Sequence, residues 1–163
     1  MKPLQIRPIK KMDNAAVAKV IRNVLEEFDV PKVGTAYADP SLDDLSSYYN
    51  QARAKYWVVT DRDRIVGGGG IAPLDNFDGS VCELQKMYFL AEARGRGLGR
   101  SMIDLCLVAA QEFGYKACYL ETMSHMETAQ GLYRSSGFEY LEAPMGDTGH
   151  FSCGVHMLKK IGR

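Results

Sequence analysis

The sequence has no C-x-x-C pair, no apolar run of membrane-spanning length and no excess of either charge, and each absence excludes something. Its four cysteines, Cys82, Cys106, Cys118 and Cys153, are scattered, and three lie inside apolar runs. They read as small buried hydrophobes in a reducing compartment, not as a disulfide framework or a zinc site. The opening MKPLQIRPIKKMDNAAVAKV has no apolar h-region, and no long apolar stretch follows it. Neither a signal peptide nor a membrane span is expected, and the cytoplasm is the default location. Twenty Lys and Arg balance twenty Asp and Glu, which leaves no basic surplus to grip a nucleic-acid backbone. His125, His150 and His156 carry no metal-ligand spacing, so no metal is expected.

What is there suits one ordinary domain over residues 1–163. A chain of 163 residues, 46% of them hydrophobic, can bury a single core without disulfides or metal. LQIRPI reads as a short strand. Asp13 or Asn14 can cap a helix whose apolar positions Val17, Val20, Ile21, Val24, Leu25 and Phe28 keep the helical period until Pro31 ends it. After a loop to Pro40, a second short helix is expected from Ser41 to about Ala52. YWVVTD and RIVGGGGIAPL flank the Asp61–Arg64 turn as a hairpin. The four glycines at 67–70 leave room for a neighbouring backbone or a substrate, with a bulge or close packing preferred.

VCELQKMYFL and ACYLETM then read as strands on either side of the amphipathic helix GRSMIDLCLVAAQEFG. A further helix from His125 to Ser135 stops at Gly137, and FEYLEA and CGVHMLKK supply two last strands. The hairpins and the single crossover together predict an α/β (α+β) fold. It has a mixed, mostly antiparallel sheet of six or seven strands flanked by helices.

The run from Arg94 to Arg100 sets Gly95, Gly97 and Gly99 among Arg94, Arg96 and Arg100, between a long strand and the start of the crossover helix. Helix N-termini present unpaired N–H groups and partial positive charge, glycines remove obstructing side chains, and arginines add charge-assisted hydrogen bonds. A diphosphate or larger phosphate group is the ligand this predicts, the alternative being a glycine-rich turn solvated by its arginines. No Lys-Ser or Lys-Thr follows the glycines, which excludes a P-loop. A dinucleotide fingerprint is an alternative, with Glu121 near the ribose-binding distance, but Arg100 stands where its third glycine belongs and one strand-helix-strand unit behind a hairpin fits it poorly.

Arg94-Gly95-Arg96-Gly97-Leu98-Gly99 resembles the [QR]-x-x-G-x-[GA] pyrophosphate loop of the GNAT superfamily of acetyl-CoA-dependent N-acetyltransferases. ELQKMYFL resembles that family's fourth strand, and AQGLYRSSGFE its A-x-x-L-Y-x-x-x-G-F segment. The resemblance spans residues 82–139. It implies a GNAT-like fold in which a bulged fourth strand splays from the fifth, the pantetheine arm pairs with the amides of Met87, Tyr88 and Phe89, and residues 94–100 (Leu98 included) hold the pyrophosphate. It also implies acetyl transfer from acetyl-CoA, as co-substrate, to a primary amine by direct attack. Tyr133 would protonate the departing thiolate, and Glu83 would act as general base, with Glu121 and Tyr88 as further candidates. Met126 departs from the family, which often has an asparagine there.

The acidic and aromatic stretch from Glu26 to Tyr49, with Asp39, Asp43 and Asp44, suits a wall for a small cationic amine, an ordinary solvated helix face being the alternative, and a hydroxyl or peptide N-terminus is left open as acceptor. No nucleic-acid or membrane partner is implied, and a homodimer is left open. The competing class is a non-catalytic acyl-CoA-binding module.

Overall fold

The computed structural model describes residues 4–162. Strands β1 (Gln5–Pro8), β2 (Lys55–Asp61), β3 (Arg64–Pro73), β4 (Val81–Phe89), β5 (Ala117–Thr122), β6 (Glu139–Leu141) and β7 (Val155–Lys160) form one sheet in the order β1-β2-β3-β4-β5-β7-β6. Every pairing is antiparallel except β4 with β5. That pair is parallel because the chain between them must cross over, and helix α3 (Leu98–Glu112) makes the crossing.

Alternate residues of β2 show how the sheet divides the interior. Tyr56 and Val58 join Val17, Ile21 and Leu25 of helix α1 (Asn14–Glu27) on one face. Trp57 and Val59 join Met102, Ile103 and Cys106 of α3 on the other. Strand side chains alternate with period two, so a strand covered on both faces reads as a continuous apolar run, as YWVV does. Helix α4 (Glu127–Ser135) closes the second face through Tyr133 and Leu132. Among the described residues no helix is long and apolar enough to cross a membrane.

Two local expectations change. The helix predicted from Ser41 to about Ala52 is a 3-10 segment, Pro40–Asp44, followed by the four-residue α2 (Leu45–Tyr48). Asn14 causes the break, donating to Asp44 Oδ1 at 3.0 Å and accepting from the Ser46 amide at 2.9 Å, while Leu42 and Leu45 are fully buried. Asp13 precedes α1 but does not cap it. Its carboxylate instead takes two hydrogen bonds from Arg7, at 2.8 and 2.9 Å, and one from the Lys10 amide at 2.7 Å.

The glycine run of β3 is explained by close packing. A Cβ on Gly70 would lie 2.4 Å from the Lys55 carbonyl oxygen and 2.6 Å from Tyr56 Cδ2, and one on Gly67 would lie 2.4 Å from Phe89 Cδ1. Gly70→Ala therefore forces backbone apart and is expected to cost about 2 to 3 kcal/mol. Thermal unfolding should show a melting temperature lower by roughly 5 to 10 °C, and an unchanged value would refute the packing account.

Beside this run β4 is bulged. Gly70 pairs with Gln85 and Gly68 with Tyr88, so Lys86 and Met87 stand opposite Gly69 alone, with Lys86 at φ 50°. The extra residue bends the strand. Pairing of β4 with β5 stops at Glu83 and Tyr119, although both strands continue.

Candidate active site

Beyond the last β4–β5 pair the strands part, and a groove of about 490 Å³ opens there. Met87, Tyr88 and Phe89 line one wall, Tyr133 and Leu132 of α4 another, and the loop before α3 closes the end. Gly95 and Gly97 adopt φ 73° and 77°, conformations that side chains resist. Gly97 is the residue before α3, and no side chain caps the helix. Its first amides and the positive end of its dipole are thus presented to the groove. Gly99 serves packing: a Cβ there would fall 2.6 Å from Leu132 Cδ2, so its absence lets α3 and α4 approach around the groove.

Of the ten residues assigned to cofactor binding, nine lie on this groove and Arg96 does not. The three arginines differ. Arg94 is clamped, its Nε donating to the Phe89 carbonyl at 2.9 Å and its two terminal nitrogens to Glu27 at 2.7 and 2.8 Å, with the guanidinium over the Phe28 ring. Arg100 lies 3.7 Å from Asp104, and Arg96 is exposed.

The groove runs into a narrower pocket, and Met87, Tyr88, Met126, Ala129 and Tyr133 belong to both. Tyr133 is 8% exposed and packs edge-on against Phe138, and burial pushes its hydroxyl up to about 12. Burial raises Tyr88 further still, which disfavours it as a base at neutral pH.

Glu83 stands at the polar end of the pocket. Its Oε1 accepts from Gln85 Nε2 at 2.8 Å, and Gln85 Oε1 accepts from the Tyr49 hydroxyl at 2.7 Å. Burial pushes the Glu83 carboxyl up to about 7, and the nearby Glu121 charge adds to the rise. A carboxyl titrating there is poised to remove a proton near neutrality. Glu121 faces the same space, accepting from Thr148 Oγ1 at 2.5 Å and from the Tyr119 hydroxyl at 2.7 Å. Across from them His150 Nε2 sits 2.7 Å from Asp39 Oδ1, and Lys86 donates to Asp39 Oδ2 at 2.7 Å. Burial favours a protonated Asp39, yet His150 and Lys86 hold its carboxyl below the usual value.

Residues 21–138 match the profile of the Acetyltransferase (GNAT) family. The chain belongs to the GNAT acetyltransferases. It is 43% identical over 157 residues to YjgM, an uncharacterised N-acetyltransferase of Escherichia coli, covering 96% of this chain and 94% of that one. A GNAT-family acetyltransferase of Staphylococcus aureus superposes with a TM-score of 0.86 at 18% identity, over 98% of this chain and all of that one. YncA of Salmonella typhimurium, whose structure contains its cofactor acetyl-CoA, superposes with a TM-score of 0.77 at 19% identity, over 99% of this chain and 96% of the other. These neighbours share the GNAT fold, and the mixed seven-stranded sheet is the architecture expected of it.

Within this GNAT chain the fold gathers residues that were not singled out as site residues. Gln85 follows Glu83 by two positions on β4, and the strand period alone would have placed the two on one face. His150 had no such signal, and Asp39, read from the sequence only as part of an acidic wall, meets it across 111 residues. One donor atom each of Glu83, Glu121 and His150 lies within 4.8 Å of the others. The spacing of the histidines along the chain did not show this.

Proposed function

We propose that this chain moves an acetyl group from acetyl-CoA to the primary amine of a small molecule, by direct attack while both are bound. The observation that carries the reading is the junction at Tyr88 and Tyr133, where a groove walled by the glycine loop meets a pocket ending in Glu83. The uncapped start of α3 fits a pyrophosphate, and β4 beyond Glu83 is left without β5 as a partner, so its edge fits an extended pantetheine arm. Amides of Met87, Tyr88 and Phe89 would polarise the thioester carbonyl and hold the oxyanion that forms on attack.

Glu83 takes a proton from the bound ammonium, the freed amine attacks, and Tyr133 protonates the sulfur as the C–S bond breaks. Support for a small acceptor comes from the pocket itself, which is closed in by Thr35, Ala36, His150 and Cys153. Glu83 and Glu121 supply the acidic lining that a cationic amine requires.

The test is free-thiol release from acetyl-CoA with putrescine, spermidine, tyramine, individual amino acids and an unstructured peptide, alongside calorimetry with coenzyme A. Saturable coenzyme A binding and turnover with at least one small amine are expected. Coenzyme A binding with no turnover on any acceptor would leave only a binding module.

A further inference from the structure

Acetylation of an ammonium removes two protons from nitrogen, because three N–H bonds become one in the amide. One proton ends on the coenzyme A thiol and the other must reach solvent. Glu83, 4% exposed, is poorly placed to release it directly. Beside it the side chain of Glu121 is 4% exposed, whereas that of His150 is 16% exposed.

The hydrogen bonds determine which His150 nitrogen is bare. The Asp39 carboxylate can only accept, so Nε2 carries the hydrogen of the 2.7 Å contact and Nδ1 of the neutral ring holds a lone pair. Nδ1 lies 3.9 Å from Glu121 Oε1, and the Glu83, Glu121 and His150 donors fall within 4.8 Å of one another. A single water making hydrogen bonds of about 2.8 Å spans such a gap.

We infer that His150, oriented by Asp39, is the second proton acceptor at the amine end, receiving through a bridging water the proton that Glu83 takes from the ammonium and releasing it at the pocket mouth. This rests on the acetyltransferase reading above. The N–H bond breaks toward Glu83, and the acid so formed gives its proton through water to Nδ1. Glu83 is then a carboxylate again when the nitrogen, cationic after bonding to the carbonyl carbon, loses its second proton. Glu83 takes that second proton, Tyr133 protonates the thiolate as the C–S bond breaks, the Glu83 acid returns its proton through pocket water to the Tyr133 phenolate, and the proton on His150 departs as the net product.

The loop that carries His150 is tied down on the far side of the pocket. The Ser152 amide donates to the Gly34 carbonyl at 3.0 Å, Ser152 Oγ to the Val33 carbonyl at 2.8 Å, and the His150 amide to Thr148 Oγ1 at 3.2 Å. His150 also lies beyond the segment matched by the family profile, which ends at residue 138. The groups facing the ring are Asp39 from the loop after α1, Glu83 and Lys86 from β4, Glu121 from β5 and Cys153 from its own loop. Burial works against a charged imidazole here, Asp39 and Glu83 favour it, and Lys86 opposes it, leaving the ring raised above its ordinary value.

The experiment is the pH dependence of kcat/KM for the full chain, with acetyl-CoA and the most active amine of the panel. Glu83 and His150 must both be unprotonated, so log kcat/KM is expected to reach a limiting acid slope of about two. His150→Gln keeps an N–H for Asp39 but cannot bind a proton. It should reduce the slope to about one and kcat/KM by about 100-fold, with coenzyme A affinity by calorimetry unchanged. Asp39→Asn should keep the slope and move the acid limb to lower pH, since the imidazole loses the anion that raises it. Should His150→Gln lose coenzyme A binding, the Asp39→Asn profile decides alone. The inference is overturned by a wild-type slope of one, by a His150→Gln slope that stays at two, or by an Asp39→Asn limb that does not move down. A wild type that binds coenzyme A yet acetylates no amine overturns the transferase reading itself and the relay with it.

Discussion

Glu83→Gln is expected to lower kcat/KM by about 100- to 10,000-fold, the usual worth of a positioned general base, while making the protein more stable at pH 8. Both effects come from one buried carboxyl. Glu83 titrates at about 7 against an ordinary 4.5, because burial disfavours its charged form. Activity that needs the carboxylate should therefore rise through about pH 7 in the wild type, and that contribution to the acid limb should vanish in the variant.

The stability effect has the opposite sign. Below the unfolded value of 4.5 the carboxyl is protonated folded or unfolded, and its burial carries no charge penalty. Between 4.5 and 7 the folded state keeps a proton that the unfolded chain has released, so stability declines as pH rises, and above 7 the loss is complete. At 1.36 kcal/mol per unit the deficit is about 3 kcal/mol. The amide that Glu83→Gln introduces stays neutral throughout, so thermal unfolding should show a gain of roughly 6 to 10 °C at pH 8 and none at pH 4. A variant that is equally active, or less stable at pH 8, contradicts the assignment of Glu83 as a strained base.

Tyr133→Phe should lower kcat by about 100-fold with coenzyme A affinity unchanged. A phenol pushed up to about 12 is a weak acid, and donation to an ordinary thiolate would run uphill. The pocket removes that difficulty. Cys153 shares it with Tyr133, and burial pushes its thiol up to about 12 as well. A coenzyme A sulfur expelled into the same surroundings would be deprived of water in the same way, which would raise its basicity toward that of the phenol. Phenylalanine preserves the edge-on packing against Phe138 and removes only the hydroxyl. Calorimetry with coenzyme A and steady-state kinetics separate the two effects, and a loss of affinity with kcat intact would show that Tyr133 binds and does not donate.

The groove was legible because its parts are local in the chain. Residues 94–97 form a loop that runs directly into the start of α3, Met87 to Phe89 are one strand end, and the Leu132–Gly137 run is one helix and its stop. Loop chemistry of this kind depends on neighbours a few positions away, and it survives folding unchanged. Even there the arginines were not separable on paper, since only the approach of α1 gives Arg94 to Glu27. The short α2 was misread for the same reason: Asn14, some thirty positions upstream, breaks a helix that its own residues favour.

By itself the sequence determined the element order, the crossover between β4 and β5, and the glycine loop that fits a pyrophosphate, all consequences of side-chain period and backbone freedom over short spans. Only the tertiary structure decided what stands at the Glu83 end of the pocket. β4 contributes Glu83, β5 Glu121, the loop after α1 Asp39, and the connection from β6 to β7 His150. No short-range preference encodes such a meeting, because it is made by the sheet order and by the Lys86 bulge that parts the strands. Burial then shifts the acid–base properties of these groups, and burial is a property of the assembled fold.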